Sequence, residues 1–246
     1  MSVENFAALA KLYQSTVMLL SGRPQQQVDV LFFHNRSFGD YTNLFEIAGE
    51  MFRRGSIRFI AVTNNEGERF GSSVPFEANP GKTECIKLLT QDHQIPADNI
   101  FYPEMKAFNT REENDAFLEL SKQNEWRTGM ILTQPHQLLR AMLGMVQAMT
   151  TRGYQMEIYT AAPTFTPWQE VVRGNQGVDL KPRVEHIADE LERVYRYLAS
   201  GELASSDQLF AYLKMRYDGS LILGPVERGS NRLMNGLPPH NQVGLT

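Results

Sequence analysis

The stretch from Phe108 to Arg140 decides the fold of this chain, and it reads FNTREENDAFLELSKQNEWRTGMILTQPHQLLR. A polar cluster at Asn109 predicts the start of one helix, the apolar run Gly129–Thr133 predicts a buried strand, and Pro135-His136 predicts the start of a second helix. Backbone N–H groups at a helix start lack intrahelical partners, and the helix dipole favours anions there. The stretch therefore predicts a helix–strand–helix unit with a polar ligand site.

The same alternation of strands and helices extends along the chain on both sides of this stretch. Four further apolar runs predict strands at Val28–Phe33, Ile57–Val62, Asn99–Tyr102 and Met156–Thr160. Strands that alternate with helices predict an α/β protein with a doubly wound, Rossmann-like parallel sheet of about five strands. If the strand order is 3-2-1-4-5, the first and fourth strands lie side by side, and sheets of this kind bind ligands at the carboxyl ends of such strands.

Three regions are predicted along the chain. Residues 1–25 form an N-terminal helix that packs on the core through one apolar stripe. Residues 26–165 form the Rossmann-like domain, and residues 166–246 form a connector and a small C-terminal helical subdomain. The N-terminal stripe consists of Phe6, Leu9, Ala10, Tyr13, Val17 and Leu20. The stripe that marks the first C-terminal helix consists of Val184, Ile187, Ala188, Leu191, Val194, Tyr195 and Leu198.

Two segments lack a clear hydrophobic period. Residues 163–182 contain three prolines and are predicted to form an irregular connector that folds over the pocket. The last twenty residues, with Pro238-Pro239, are predicted to be irregular as well. A shorter helix between these segments is predicted to be capped by Ser205.

The composition limits the classes of partner. With a net charge of −4, the chain lacks the excess of basic residues that nucleic-acid binding requires, so nucleic acid is not an expected partner. No apolar run reaches membrane-spanning length, and the single cysteine, Cys85, forms no internal disulfide. We therefore expect a cytoplasmic protein, and the oligomeric state, including a homo-oligomer, stays open.

Polar residues after the first and fourth strands form the centre of the candidate site. The loop from His34 to Ser37 is expected to face the loop from Thr133 to His136. His136 and Arg140 are spaced i and i+4, so an imidazole and a cation share one helix face, as suits a carboxylate or phosphate ligand. The alternative is structural: Asn109 and Thr110 cap a helix whose dipole Glu112 and Glu113 complement.

Several other classes of site lack a signature. No G-x-G-x-x-G and no phosphate-loop motif occurs, which disfavours dehydrogenases and phosphate-loop nucleotidases. No metal site is predicted, because the histidines lack metal-ligand spacing, although Asp29, His34 and His136 are candidates to meet in space. Nucleophilic catalysis has no signature either, since no G-x-S-x-G elbow is present and Cys85 lies inside a predicted helix.

Four motifs in order resemble the SanA/YdcF/ElyC-like bacterial family, whose domain was long catalogued as of unknown function. These are a Val-Asp-Val strand at residues 28–30, Glu84 at a helix start, the Asn109-Thr110-x-Glu112 cluster, and Thr133-x-x-His136-x-x-x-Arg140. The likeness covers about residues 28–163, and the segment Tyr195-Arg196-Tyr197-Leu198 looks closest to the cytosolic YdcF branch.

The resemblance implies a Rossmann-like sheet with a polar pocket at its carboxyl edge, and for the YdcF branch it implies binding of S-adenosylmethionine. Combined with the strand-end clusters, it gives a set of expected ligand-binding residues. This set comprises Asn35, Arg36, Ser37, Asn64, Glu84, Asn109, Thr110, Glu112, Thr133, Gln134, His136 and Arg140.

Three functional hypotheses follow. The first is a protein that binds a small nucleotide-like ligand, with S-adenosylmethionine as the candidate, at the carboxyl edge of the sheet. The second is a transferase or hydrolase that acts on a phosphorylated or sugar-linked envelope precursor, with His136 as general acid/base and Arg140 holding the anion. The third is a non-enzymatic interaction module that acts through the C-terminal helices.

Overall fold

A five-stranded parallel sheet forms the centre of the computed structural model, which describes residues 3–34, 43–68, 80–173 and 180–226. Its strands are β1 (Val28–Phe33), β2 (Ile57–Ala61), β3 (Ile100–Phe101), β4 (Thr128–Leu132) and, after the two-residue strand β5 (Tyr154–Gln155), β6 (Glu157–Ala161). The order across the sheet is β3-β2-β1-β4-β6. This confirms the predicted α/β fold and the predicted order, with the first and fourth strands as neighbours.

Seven α-helices surround the sheet within the described residues. They are α1 (Val3–Ser21), α2 (Leu44–Arg53), α3 (Lys82–Lys87), α4 (Thr110–Gln123), α5 (Leu138–Arg152), α6 (His186–Ala199) and α7 (Ser206–Tyr217). Two helices start or end differently from the prediction. The helix expected over 82–93 changes to a π turn at Leu88–Asp92, and the helix expected from His136 begins as a 3-10 turn, Pro135–Gln137.

The central strand β1 is buried on both faces, as its apolar sequence requires. Val30 and Phe32 point into a core shared with α1, α4, α5 and α7, where the Phe32 ring stacks on Phe117 at 4.4 Å between centroids. Leu31 and Phe33 point into the opposite core, which α2 and α3 cover. Alternate residues of one strand therefore anchor both helical layers.

The connector after β6 has more regular structure than its sequence predicts. Residues 171–173 and 180–182 pair as the antiparallel strands β7 (Val171–Arg173) and β8 (Leu180–Pro182). Arg183, directly after β8, is buried and donates to the Pro167 carbonyl at 2.8 Å and to the Glu170 carboxylate at 2.9 Å. The prediction of an irregular connector is therefore wrong for these residues, because cross-strand pairing needs no long hydrophobic period.

The chain returns to the amino edge of the sheet after α7. The strand β9 (Gly224–Pro225) pairs antiparallel with β5, directly before β6 begins. Val226, the last described residue, donates to the Gly153 carbonyl at 2.9 Å. The predicted irregularity of the last twenty residues lies outside the described part of the chain.

The orientation predicted for α1 is wrong. Instead of packing on the core, its large apolar stripe is exposed, with between 46% and 72% of each side chain accessible, at Phe6, Leu9, Tyr13, Val17 and Leu20. On the inner face, Ser15 and Leu19 are buried, and Leu12 and Met18 are partly buried. Only two of the nineteen residues of α1 are charged, so both faces of this helix can contact apolar surface.

Helix α6 is also oriented unexpectedly, because its inner face is largely polar. His186 and Glu190 are buried together with Val194, whereas Ile187 and Leu191 are exposed. A buried charge needs a partner, and Glu190 has two, as described below. Within the described residues, the structure contains no helix of the length and apolarity that a membrane crossing requires.

Candidate functional site

The carboxyl ends of β1 and β4 lie side by side, which is where a doubly wound sheet changes direction. Phe33 and Leu132 are paired in the register, so the chain continues in parallel into His34 and Thr133. Both side chains are fully buried, and Gln134 is buried as well. Polar groups therefore concentrate in the interior at the predicted edge of the sheet.

His34 contacts helix α4 through a side chain that the sequence did not single out. Its Nε2 lies 2.8 Å from Oδ1 of Asn114, and both residues are fully buried. The His34 ring also meets the edge of Phe32, with centroids 5.1 Å apart. The imidazole is thus oriented by a buried amide.

Asn114 also explains the glycine at position 144 of α5. A Cβ atom on Gly144 would lie 2.9 Å from the Asn114 amide nitrogen, closer than such atoms normally approach. This amide nitrogen is buried and has no hydrogen-bond partner within the described residues. A buried donor of this kind costs about 1–3 kcal/mol unless a further group satisfies it.

The turn between β4 and α5 is held by its own side chains. The Thr133 hydroxyl donates to Oε1 of Gln137 at 2.9 Å, and the Gln137 backbone N–H donates to the Gln134 carbonyl at 3.0 Å. Thr133, Gln134 and Gln137 are all buried. The turn is therefore built from buried amide and hydroxyl groups at the carboxyl edge of the sheet.

His136 is half-buried in this turn and lies against an aromatic ring from the connector. Its ring centroid is 6.1 Å from that of Trp168, at an angle of 66°. The connector thus contacts the turn between β4 and α5 at this point.

Arg140 has intramolecular partners that its sequence position did not reveal. Its Nε lies 2.5 Å from Oε2 of Glu190 on α6, and its Nη1 donates to the Thr110 hydroxyl at the start of α4 at 2.9 Å. Glu190 also accepts from Arg193 at 2.6 Å. The guanidinium of Arg140 therefore joins three helices, and a ligand anion would have to share or displace the Glu190 carboxylate.

The Asn109 cluster caps a helix, as the structural alternative predicted. The Asn109 side chain accepts from the Glu112 N–H at 3.0 Å, and the Glu112 carboxylate accepts from the Phe108 N–H at 2.9 Å. These bonds satisfy donors that the helix itself leaves open. Asn109 and Glu112 thus have a structural role in the start of α4.

The remaining expected ligand-binding residues either lie away from the carboxyl ends of β1 and β4 or are outside the residues that the structure describes. Asn64 accepts from Lys82 at 2.9 Å and donates to the Glu104 carbonyl at 2.9 Å, next to β2. Glu84 forms an ion pair with Lys87 one helical turn on, 3.5 Å apart. Three expected residues, Asn35, Arg36 and Ser37, lie outside the described residues.

The sequence left Asp29, His34 and His136 as candidates to lie close together as metal ligands, and this is wrong for Asp29. Its carboxylate accepts from the Arg127 and Thr128 N–H groups, each at 2.9 Å, at the amino end of the sheet. His34 follows the other end of the same strand. Among the described residues, no group of three His, Cys, Asp or Glu side chains is arranged to hold a metal ion.

Three site residues were missed from the sequence: Asn114, Gln137 and Glu190. Asn114 is four residues after Thr110 on α4, so helical spacing could have placed it beside the predicted cluster. His186 and Glu190 are likewise four apart on α6, a polar pair that marks an inner polar face. No comparable spacing in the sequence points to Gln137.

No protein-family model matches this chain, and a comparison with curated proteins also found no match. The class of protein is therefore defined by its fold, a Rossmann-like α/β protein with a buried polar cluster at the β1/β4 edge.

Proposed function

We propose that the protein binds a small nucleotide-like ligand at the carboxyl edge between β1 and β4. The observation that carries the proposal is the buried polar cluster of His34, Asn114, Thr133 and Gln137, which combines two strand ends, helix α4 and the turn before α5. S-adenosylmethionine is the candidate ligand, because the resemblance to the SanA/YdcF/ElyC-like family implies it.

The charges around this cluster favour an adenosyl ligand over a polyphosphate. Arg140 and Arg193 both contact the Glu190 carboxylate, so each guanidinium group is already engaged by the same buried anion. A polyphosphate needs cations that remain available to it. Amide and hydroxyl groups instead hydrogen-bond to base edges and ribose hydroxyls without a charge penalty.

Calorimetric titration of the full chain with S-adenosylmethionine, S-adenosylhomocysteine, adenosine and ATP tests the proposal. We expect binding of the adenosyl compounds, and weaker binding of ATP. Thr133→Val removes the hydroxyl but keeps the shape, and we expect it to reduce adenosyl affinity about tenfold, the equivalent of one hydrogen bond of about 1.4 kcal/mol.

Thr128→Val is the matched control, because Thr128 begins the strand that Thr133 follows and contacts Asp29 at the opposite edge of the sheet. We expect this variant to bind as the wild-type protein does. Failure of all four compounds to bind, or an equal loss of affinity in both variants, would contradict the proposal.

A second candidate, a transferase or hydrolase on a phosphorylated or sugar-linked precursor, is favoured by one observation. His136 lies half-buried in the turn that follows β4, beside Trp168. An imidazole in this position suits proton transfer. Substrate profiling of His136→Ala tests this function, and full activity of that variant would exclude the imidazole as the acid/base group.

A further inference from the structure

Five large apolar side chains form a continuous exposed row along α1, which we call the α1 stripe: Phe6, Leu9, Tyr13, Val17 and Leu20. They are separated by three, four, four and three positions, the spacing that keeps side chains on one seam of a helix. The opposite face of α1 is firmly attached. Leu19 is buried in the core, its carbonyl accepts from Thr160 at 2.7 Å, and Lys11 forms an ion pair with Asp207 of α7.

The spacing of the α1 stripe is symmetric about Tyr13. When two such helices pack antiparallel around a two-fold axis, Phe6 of one copy meets Leu20 of the other, Leu9 meets Val17, and the two Tyr13 rings meet at the axis. A self-complementary surface of this kind is the requirement for a symmetric dimer. We infer that the α1 stripe is the contact surface of a homodimer in which α1 packs antiparallel against α1 of a second copy.

The exposed area is sufficient for such a contact. Aromatic side chains of 150–250 Å² that are 61% and 72% exposed, as Phe6 and Tyr13 are, contribute roughly 100 Å² or more each. With the three aliphatic residues, the stripe offers roughly 500 Å² per copy, a size typical of functional patches. Two copies together bury roughly 1,000 Å², the lower limit for a specific interface.

A second copy fits this surface better than a lipid bilayer does. Helices that lie on membranes carry many lysines and arginines on their polar face. Helix α1 contains one cationic residue, Lys11, which is already paired with Asp207. The helix therefore lacks the charge that attracts anionic lipid.

Helix α6 carries a smaller exposed stripe, Ile187, Leu191 and Tyr195, and is the competing surface. It has three large side chains in place of five. It is bordered by an ion pair between Glu192 and Arg196, whose atoms are 2.6 Å apart on the exposed face. The larger and uncharged surface of α1 is the better dimer contact.

Analytical ultracentrifugation of the full chain over a concentration series tests the inference. We expect a monomer–dimer equilibrium for the wild-type protein and a dimer dissociation constant raised at least about tenfold by Tyr13→Glu, since two like charges then meet at the axis. Tyr13→Lys should also weaken the dimer. An equimolar mixture of the two variants should restore it, because a symmetric α1–α1 contact places position 13 of one copy against position 13 of the other.

Tyr217→Glu is the matched control, since Tyr217 is 84% exposed on α7 and is not part of the α1 stripe. This variant should associate as the wild-type protein does. A wild-type monomer at all concentrations, a dimer unaffected by Tyr13→Glu, or a failure of the mixture to associate would overturn the inference. Loss of the dimer in Leu191→Glu but not in Tyr13→Glu would assign the contact to α6 and also overturn it.

A thiol cross-link gives an independent measurement. The chain contains a single cysteine, Cys85, which is buried, and burial raises the pKa of its thiol to about 12. An introduced thiol is therefore the only reactive one. Under mild oxidation we expect Tyr13→Cys to form a covalent dimer and Tyr217→Cys to remain monomeric. Equal cross-linking of the two variants would overturn the inference.

Discussion

Helices α6 and α7 follow the sheet one after the other, but they bury opposite kinds of side chain. Helix α7 packs on α1 and α5 with Leu209, Tyr212 and Leu213, an apolar face that joins the main core. Helix α6 lies over the turn before α5 and buries His186 and Glu190. The inner face of a helix thus reflects what it covers: α7 covers the core, whereas α6 covers the polar edge of the sheet.

The largest effect that separates the two helices is expected from Glu190→Ala in α6. This change leaves the buried guanidinium of Arg140 without its carboxylate, so we expect the free energy of unfolding to fall by about 3 kcal/mol in urea denaturation. Replacing both Arg140 and Glu190 by methionine should recover most of the loss, because neither member of the buried pair is then left as an unpaired charge.

Glu192→Ala is the control, since Glu192 forms an exposed ion pair with Arg196 on the same helix. Such pairs contribute at most about 1 kcal/mol. If Glu190→Ala were no more destabilising than Glu192→Ala, the inner face of α6 would not be a buried ionic contact, and its contrast with α7 would disappear.

An intermediate effect is expected from Tyr212→Phe in α7, which tests a buried hydroxyl on a largely apolar face. The Tyr212 hydroxyl donates to the Met156 carbonyl at 3.0 Å and accepts from the Ile158 N–H at 2.7 Å. Burial raises the pKa of this hydroxyl, which therefore stays neutral. Its removal leaves two buried backbone groups unpaired, and we expect a loss of about 2 kcal/mol in unfolding free energy.

Tyr217→Phe on the exposed side of the same helix is the matched control, for which we expect a change within about 0.5 kcal/mol. Equal melting of the two variants would show that the hydroxyl does not join α7 to the sheet.

The smallest effect is a pH-dependent one at the start of α6. Burial by itself raises the pKa of Asp189. Hydrogen bonds from Lys181 and His186 lower it by more than burial raises it, so the pKa is below its ordinary value of 3.8. A carboxyl group with a lowered pKa stabilises the fold above its unfolded pKa, and this stabilisation is lost as the pH falls through the folded pKa. We expect Asp189→Asn to cost about 1 kcal/mol at pH 7.

The difference between this variant and the wild-type protein should shrink in urea titrations as the pH falls below the ordinary pKa of 3.8 and through the lowered pKa of the folded protein, where the wild-type carboxyl becomes protonated. A difference that stayed constant from pH 7 into this acidic range would mean that the charge of Asp189 does not stabilise α6.

The sheet could be predicted from sequence because its strands are short apolar runs that alternate with helices, and this alternation specifies a parallel sheet. Burial on both faces makes Val28–Phe33 almost wholly apolar, and polar loops mark its ends. The orientation of α1 could not be predicted, because Leu12, Met18 and Leu19 make its other face apolar too. A hydrophobic stripe identifies a helix, but it does not say which face meets the core.

The candidate site was predicted only in part, for a similar reason. Thr133 and Gln134 follow a strand directly, so their location is a local property of the chain. Arg140 also appeared correctly near a helix start, but its partner Glu190 is fifty residues away and belongs to another helix. Pairings between distant residues depend on how helices are placed over the sheet, and spacing along the chain carries no information on that.

The pairing of β9 with β5 has a practical consequence for the binding experiments. It holds Val226 at the amino edge of the sheet, whereas the candidate site is at the carboxyl edge. A surface tether or fluorescent group joined beyond Val226 therefore starts from the far side of the sheet relative to His34 and Thr133. Attachment at this end is the natural choice for immobilised binding assays, and attachment through α1 would instead place the support next to the proposed dimer contact.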